Sequence, residues 1–373
     1  MTMFGTARKP KEPGRNDLCP CGSKKKYKKC HGGIDVVPIA HPSQLDAQLR
    51  NYDPKKTCLA PFGWLKDCKG QVIASHTVSR SGSLGAIARN GHVYSYVPSI
   101  KSFDDAGGRL VPKLLGWRTA STFPGFCAHH DKHLFAALED VTFTGSQQQC
   151  FLLSYRAIVW EYFTKLRAVN HGPLHAAMVA GMPEPVKALM AEHSHISDLG
   201  LRDITKHKTT YDAVLEQGKW SECHGLLIEF SGNFPIQCAA AWAPLEDIHG
   251  TKIQTLDLSP RVPQTATLLS FAANEKSYFL LSWLDYSAEV TEQLAKSISD
   301  LPPADVPGAV AALLLLTSEN CHFSPDWYEG LSDVGKEWVH DLWHPAVSPK
   351  PSAVGAAGSV YVQGLSVSAI QWL

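Results

Sequence analysis

Residues 265–285 read TATLLSFAANEKSYFLLSWLD, from Thr265 to Asp285. The stretch is rich in apolar, aromatic and β-branched residues, and it alternates as strands do. His224 to Ala241 has the same character, punctuated by glycine and proline, and together the two stretches predict an antiparallel sheet. Outward from them the period changes. Leu152, Tyr155, Ile158, Val159, Tyr162 and Leu166 recur near helical spacing, which predicts a helix over Phe151 to Arg167. Leu174 to Met190 continues helical and breaks near Pro183 and Pro185. Helices return over Ala288 to Ser299 and through the apolar run near Leu315. The fold class is therefore α+β, with a helical plus antiparallel-sheet domain over residues 141–345. Residues 346–373 are rich in Ala, Gly, Ser and Val and read as a loose tail.

The chain has 373 residues, enough for two or three compact units. Its 35 basic residues balance 35 acidic ones, so any argument for a nucleic acid or a membrane must be local. The first fifteen residues are polar and basic, without the apolar core of a signal peptide. The longest apolar run, Ala309 to Leu316, is far shorter than the roughly 20 residues that span a bilayer. A cytoplasmic location is the expectation, and there the ten cysteines would be thiols or metal ligands. Cys150, Cys223, Cys238 and Cys321 are scattered and read as small core residues.

Clustered cysteines point to metal. Near the N-terminus, Gly14-Arg15-Asn16-Asp17-Leu18-Cys19-Pro20-Cys21-Gly22-Ser23 leads through a Lys/Tyr stretch to Cys30-His31-Gly32. Leu18 and Tyr27 are its only sizeable apolar side chains, too few for a core. Three thiolates and an imidazole, from Cys19, Cys21, Cys30 and His31, match a closed tetrahedral zinc site, whose binding energy would order the segment. These residues resemble the SEC-C motif, named for the C-terminus of the SecA preprotein translocase ATPase and found as an accessory on other bacterial proteins. Lys24 stands where that motif commonly has glycine. The basic residues Arg8, Lys9, Lys11, Arg15, Lys24, Lys25, Lys26, Lys28 and Lys29 outweigh Glu12 and Asp17, which suits an acidic partner. The resemblance implies docking to a SecB-like chaperone or phospholipid; a ribosomal surface or nucleic acid offers the same charge.

Prolines 38, 42 and 54 and weak periodicity make residues 34–56 a linker. Residues 57–140 form a second Cys/His-rich region, where Cys58 and Cys68 precede a Cys127-Ala128-His129-His130-Asp131 helix start. Cys58, Cys68, Cys127 and His130 make a second candidate zinc set, although nine residues separate the first pair instead of the usual two to four. The arrangement resembles an HNH-type treble-clef nuclease. Ser75-His76 follows Cys68 at the family's interval, Thr77-Val78-Ser79-Arg80-Ser81 echoes its next element, and Cys127 to Asp131 has the spacing of its closing helix. The resemblance implies that His76 activates water and that Asp131 holds a divalent metal such as Mg²⁺. Asn90 is a candidate for the family's middle asparagine.

His76-Thr77 followed by Leu84, Ile87 and Gly91 also resembles the NAD-binding start of DarT-like ADP-ribosyltransferases. That reading requires a glutamate, and Glu139 and Glu161 are available. Asp247-x-His249 reads as a polar turn, and Ser324 or Asp326 as the cap of a helix carrying Trp327 and Tyr328. Three functional readings follow: a metal-dependent nuclease acting on nucleic acid, a zinc-stabilised adaptor without catalysis, and an NAD-dependent ADP-ribosyltransferase.

Overall fold

The computed structural model describes residues 14, 16–18, 25–29, 42–107, 109–256, 261–343 and 361–373. The chain divides into two units, residues 1–45 and 46–373. In the first, Asp17 organises a turn: its carboxylate accepts from the Gly14 N–H at 2.7 Å and its carbonyl from the Tyr27 N–H at 2.7 Å. Leu18 and Lys26 form an antiparallel bridge just inside it. The ligand candidates Cys19, Cys21, Cys30 and His31 lie outside the described residues.

Along the chain the elements are α1 (Pro42–Arg50), β1 (Ser75–His76), α2 (Gly85–Ile87), β2 (His92–Ser95), α3 (Ile100–Asp105), β3 (Lys113–Gly116), β4 (Thr122–Phe123) and α4 (Ala128–Glu139). Two long helices follow, α5 (Gln147–Val179) and α6 (Glu184–Gln217). Then come β5 (Cys223–Ser231), β6 (Ile236–Trp242), β7 (Ala266–Ala273), β8 (Lys276–Leu284), α7 (Ala288–Ser299) and α8 (Val306–Thr317). The chain closes with β9 (Cys321–Phe323), α9 (Pro325–Gly330), α10 (Asp333–Trp343) and β10 (Ser366–Trp372).

The strands predicted over 224–241 and 265–285 are β5 to β8, and among the described residues they join one antiparallel sheet of eight, in the order β10-β5-β8-β7-β6-β9-β2-β3. Asn274 and Glu275, both at positive φ, close the two-residue turn between β7 and β8. Alternate residues feed opposite faces. Leu226, Ile228, Leu268, Phe279, Leu281 and Trp283 pack with α7 and α8, whereas Leu227, Leu269, Phe271 and Leu280 pack towards α5. Both faces are buried, so the alternation expected over residues 265–285 gives way to nearly continuous burial in β7 and β8. Helix α8 is buried over all but its last residue, so it is apolar all round instead of on one stripe.

Helix α5 tolerates Pro173 in its interior, and Pro185 sits in the first turn of α6, where its missing N–H costs nothing. The break expected near Pro183 is therefore a helix–helix turn. Gly218, at φ 62°, ends α6 in the left-handed conformation.

Three expectations change. The stretch read as linker contains α1 at residues 42–50. The stretch read as tail ends in β10, whose register with β5 runs from Ser366↔Ser231 to Trp372↔Leu226. The 57–140 region contributes β2 and β3 to the same sheet as residues 223–323, through β9 pairing with β2. Ser324 is the cap of α9, accepting from the Trp327 N–H. Asp247 closes a polar turn by accepting from His249 and Thr251. Among the described residues, no helix is long and apolar enough to cross a membrane.

Candidate metal centre

Two chain segments meet before α4. The 69–76 arm runs antiparallel to the 122–129 arm: Ser75 faces Phe123, His76 faces Thr122, and Val72 bridges Cys127. Backbone bonds from Ile73 N–H to Phe126 C=O (2.9 Å) and from Leu59 N–H to Gly125 C=O (2.7 Å) tie the preceding loop to it. Behind this ribbon, the fully buried Phe126 packs edge-to-face on Phe135 of α4, with ring centroids 5.3 Å apart. The loop that carries Cys58 and Cys68 turns through a short 3₁₀ segment, Phe62–Asp67. Cys127 is the N-cap of α4, its sulfur accepting from the His130 N–H at 3.5 Å.

The result is a compact donor set. The Sγ atoms of Cys58, Cys68 and Cys127 and a ring nitrogen of His130 lie within 4.8 Å of one another. His130 Nδ1 is 3.4, 3.6 and 3.4 Å from the three sulfurs in that order. A tetrahedral zinc with ordinary Zn–S and Zn–N bonds has an N···S edge of about 3.5 Å, so the donors fit this ion. Their protonation also fits. Burial of the sulfur and the charge of Cys58 push Cys68 up to about 12, and burial likewise raises Cys58. Burial acts the same way on Cys127, but hydrogen bonds from the His130 and Lys69 backbone and from the other two sulfurs outweigh it and lower its pKa; Cys58 and Cys68 resist ionising beside it, and a dication would let all three do so. Burial lowers the His130 pKa, leaving the neutral imidazole that a metal requires.

His76 ends β1 half-buried, with Nε2 3.4 Å from the Trp117 carbonyl oxygen. Burial chiefly lowers its pKa, the Trp117 carbonyl opposes this, and Arg80, Arg156 and Asp131 exert smaller effects through charge. Asp131 touches His76 only through the weakest of these charge effects. Asp131 Oδ1, Ser75 Oγ and Thr77 Oγ1 are buried without a hydrogen-bond partner. Among the described residues, however, the only group of three or more Cys, His, Asp or Glu donors is the Cys/His set above. Asn90 is a turn residue at φ 51°, its carbonyl beside His92 Nδ1, and takes no part in the cluster. Of the two glutamates considered for ADP-ribosyl transfer, Glu139 pairs with the buried Arg156 and Glu161 with Lys165.

Sequence reasoning missed the network that anchors this region to the sheet. Ser121 Oγ accepts from the Val78 N–H (3.0 Å) and donates to Asn320 Oδ1 (3.0 Å), and the Asn320 amide donates to the Ala239 carbonyl. His322 Nε2 lies 3.1 Å from the same Asn320 oxygen, and Ser95 Oγ lies 2.5 Å from His322 Nδ1. A single tautomer satisfies both contacts, with Nε2 donating and Nδ1 accepting. Burial lowers the His322 pKa to about 3. No local signal marks these residues, because Ser121 and Asn320 are far apart in the chain.

Comparison with known proteins adds one fixed point. No solved structure matches the chain. Residues 15–33 match the SEC-C motif family. The protein translocase subunit SecA of Pelodictyon phaeoclathratiforme is 86% identical over 22 residues, 6% of this chain and 2% of that protein. The SecA of Chlorobium limicola matches to the same extent, and that of Vesicomyosocius okutanii is 76% identical over 25 residues, 7% of this chain and 3% of its own. The chain thus spans only a few per cent of the length of these relatives, and what it shares with them is a SEC-C motif, a zinc-binding module, at residues 15–33.

Proposed function

We propose that this is a two-zinc docking protein of the cytoplasm. Cys19, Cys21, Cys30 and His31 hold one ion in the SEC-C module, which binds an acidic partner: nucleic acid, the ribosome or a SecB-like chaperone. Cys58, Cys68, Cys127 and His130 hold the second. The observation that carries this reading is the donor set of Cys58, Cys68, Cys127 and His130 within 4.8 Å. Four protein ligands leave no open position for substrate, so the second ion, like the first, fastens chain segments together. Metal analysis of the full chain and of a chain lacking residues 1–33 tests it. Two zincs falling to one is the expected result; one falling to none removes the second site.

A hydrolytic reading draws support from the half-buried His76 at the end of the ribbon, which feels the charge of Asp131. The knuckle-like loop, ribbon and helix follow the order of a treble clef, which supports an HNH-like nuclease. The buried, unpartnered Asp131 Oδ1 would hold a hard dication such as Mg²⁺, which neutralises charge on a phosphodiester. His76, with its pKa lowered, is neutral near pH 7 and would accept the proton of an attacking water. Incubation of the protein with single- and double-stranded nucleic acid and Mg²⁺ tests this. Cleavage abolished by His76→Ala supports it, and no cleavage, or cleavage untouched by the substitution, refutes it. An ADP-ribosyltransferase would instead consume NAD without Mg²⁺, and an adaptor would do neither.

A further inference from the structure

Cys238 and Cys321 are far apart in the chain but meet in the fold. Cys238 lies in β6 and Cys321 opens β9, and the two stand directly opposite each other in the antiparallel register. The ladder fixes which kind of pair they form. The Ser324 N–H donates to the Pro235 carbonyl at 2.9 Å and the Ala239 N–H to the Asn320 carbonyl at 3.4 Å, so 235–324 and 239–320 are the hydrogen-bonded positions. Alternation then makes Cys238–Cys321 a non-hydrogen-bonded pair, the kind whose Cα atoms lie about 4.5 Å apart with their side chains closest. That spacing falls inside the range a disulfide bridges, roughly 4.4–6.8 Å. Both residues are 1% exposed and belong to the core that packs on α8.

Joining the two sulfurs strands no buried polar group. Cys321 Sγ donates to the Leu314 carbonyl at 3.6 Å, and that carbonyl also accepts from the Ser318 N–H at 3.1 Å, so it stays satisfied when the thiol hydrogen is lost. Burial and the neighbouring Cys238 thiol push the Cys321 pKa well up, which makes the closed pair a poor nucleophile. Reaction therefore requires the seam to part. β9 is only three residues long, and Glu319, two residues before Cys321, is exposed. Ala240, the next residue on the Cys238 side of β6, lines a cavity of about 520 Å³ together with Glu319. Local opening of so short a strand brings a small oxidant to the sulfurs without global unfolding.

We propose that Cys238 and Cys321 form a reversible disulfide site, oxidised by a peroxide, that locks β9 onto β6. In the opened seam one thiolate attacks a peroxide oxygen, the O–O bond breaks, and the departing hydroxide takes up a proton as water. The second thiolate attacks the resulting sulfenic sulfur, the S–O bond breaks, and a second water leaves as the S–S bond forms. Two thiols thus lose two electrons and two protons, and the peroxide becomes two waters. The lock reaches beyond β9, because among the described residues β9 joins β6 to β2 and so holds β2 and β3 in the sheet. The test is peptide mapping by mass spectrometry of the folded full chain after hydrogen peroxide, with free thiols alkylated before digestion. A peptide joining Cys238 to Cys321, lost on reduction with dithiothreitol, is the expected result. Amide hydrogen exchange over β9 and β2 should slow at least roughly tenfold in the oxidised chain. Cys238→Ala, checked for folding by thermal melting, should show neither change. Recovery of the two cysteines unlinked, linkage of either to another cysteine, unchanged exchange in the linked chain, or equal slowing in Cys238→Ala would each overturn the proposal.

Discussion

Cys127→Ser separates the metal contribution of the Cys/His set from every other role of that residue. Cys127 is both a candidate ligand and the N-cap of α4. Serine is a preferred N-cap, so the bond to the His130 N–H survives while the thiolate is lost. A structural zinc site contributes on the order of 10–16 kcal/mol at neutral pH, so one ligand in four corresponds to roughly 3–4 kcal/mol. At roughly 2–4 °C per kcal/mol for a unit of a few hundred residues, the melting temperature should fall by about 6–15 °C. Calorimetry gives the shift, and metal analysis should show one zinc fewer per chain. Cys150→Ser supplies the baseline: Cys150 is equally buried but lies outside the set, so its substitution should leave the zinc content unchanged. A Cys127→Ser protein that keeps its full zinc content and melts like the Cys150→Ser protein would refute the site.

The buried histidines predict loss of stability in acid. His207 and His322 have folded pKa values of about 4 and about 3, below the unfolded value near 6.5, so the unfolded chain binds more protons between these limits. Stability should be full above about pH 6.5 and fall below it, by at most about 2 kcal/mol per histidine at pH 5. Urea midpoints at pH 7 and pH 5 measure this, and an undiminished pH dependence in His207→Gln would contradict the assignment to His207. In β5, a Cβ on Gly225 would lie 2.9 Å from the Leu281 carbonyl oxygen, so Gly225→Ala should cost about 1–3 kcal/mol by chemical denaturation. An unchanged midpoint would show that the two strands can part freely there. Removing residues 366–373 strips β10 from β5 and leaves a long apolar edge, which should produce concentration-dependent aggregation in light scattering. A monodisperse truncated protein would show that β5 needs no cover.

Legibility followed the range over which each feature is encoded. The strand character of residues 265–285, the helix at Ala288–Ser299 and the serine cap at Ser324 depend on neighbours within a few residues, and the sequence reading agrees with the fold at all three. Over the long α6 the sequence predicts helix only as far as Met190, because the helix surface is largely polar and its partner, α5, supplies the packing. The Ala/Gly/Ser/Val setting hides β10, since an edge strand exposed at every residue but Val367 is held by backbone pairing to β5 and needs little apolar pattern. Nothing near His76 marks Ser121, Asn320 and His322 as its surroundings.

By itself, the sequence determined the chemistry available to this protein: a SEC-C motif, a set of thiols and imidazoles, and strands and helices of definite period. Side-chain identity and local spacing suffice for that. Only the tertiary structure decided that Cys58, Cys68, Cys127 and His130 converge, that β2 and β3 join the main sheet through β9, and that Cys238 and Cys321 lie opposite each other on adjacent strands. Those meetings are set by which buried faces cover one another across the whole chain, a condition that no local window contains.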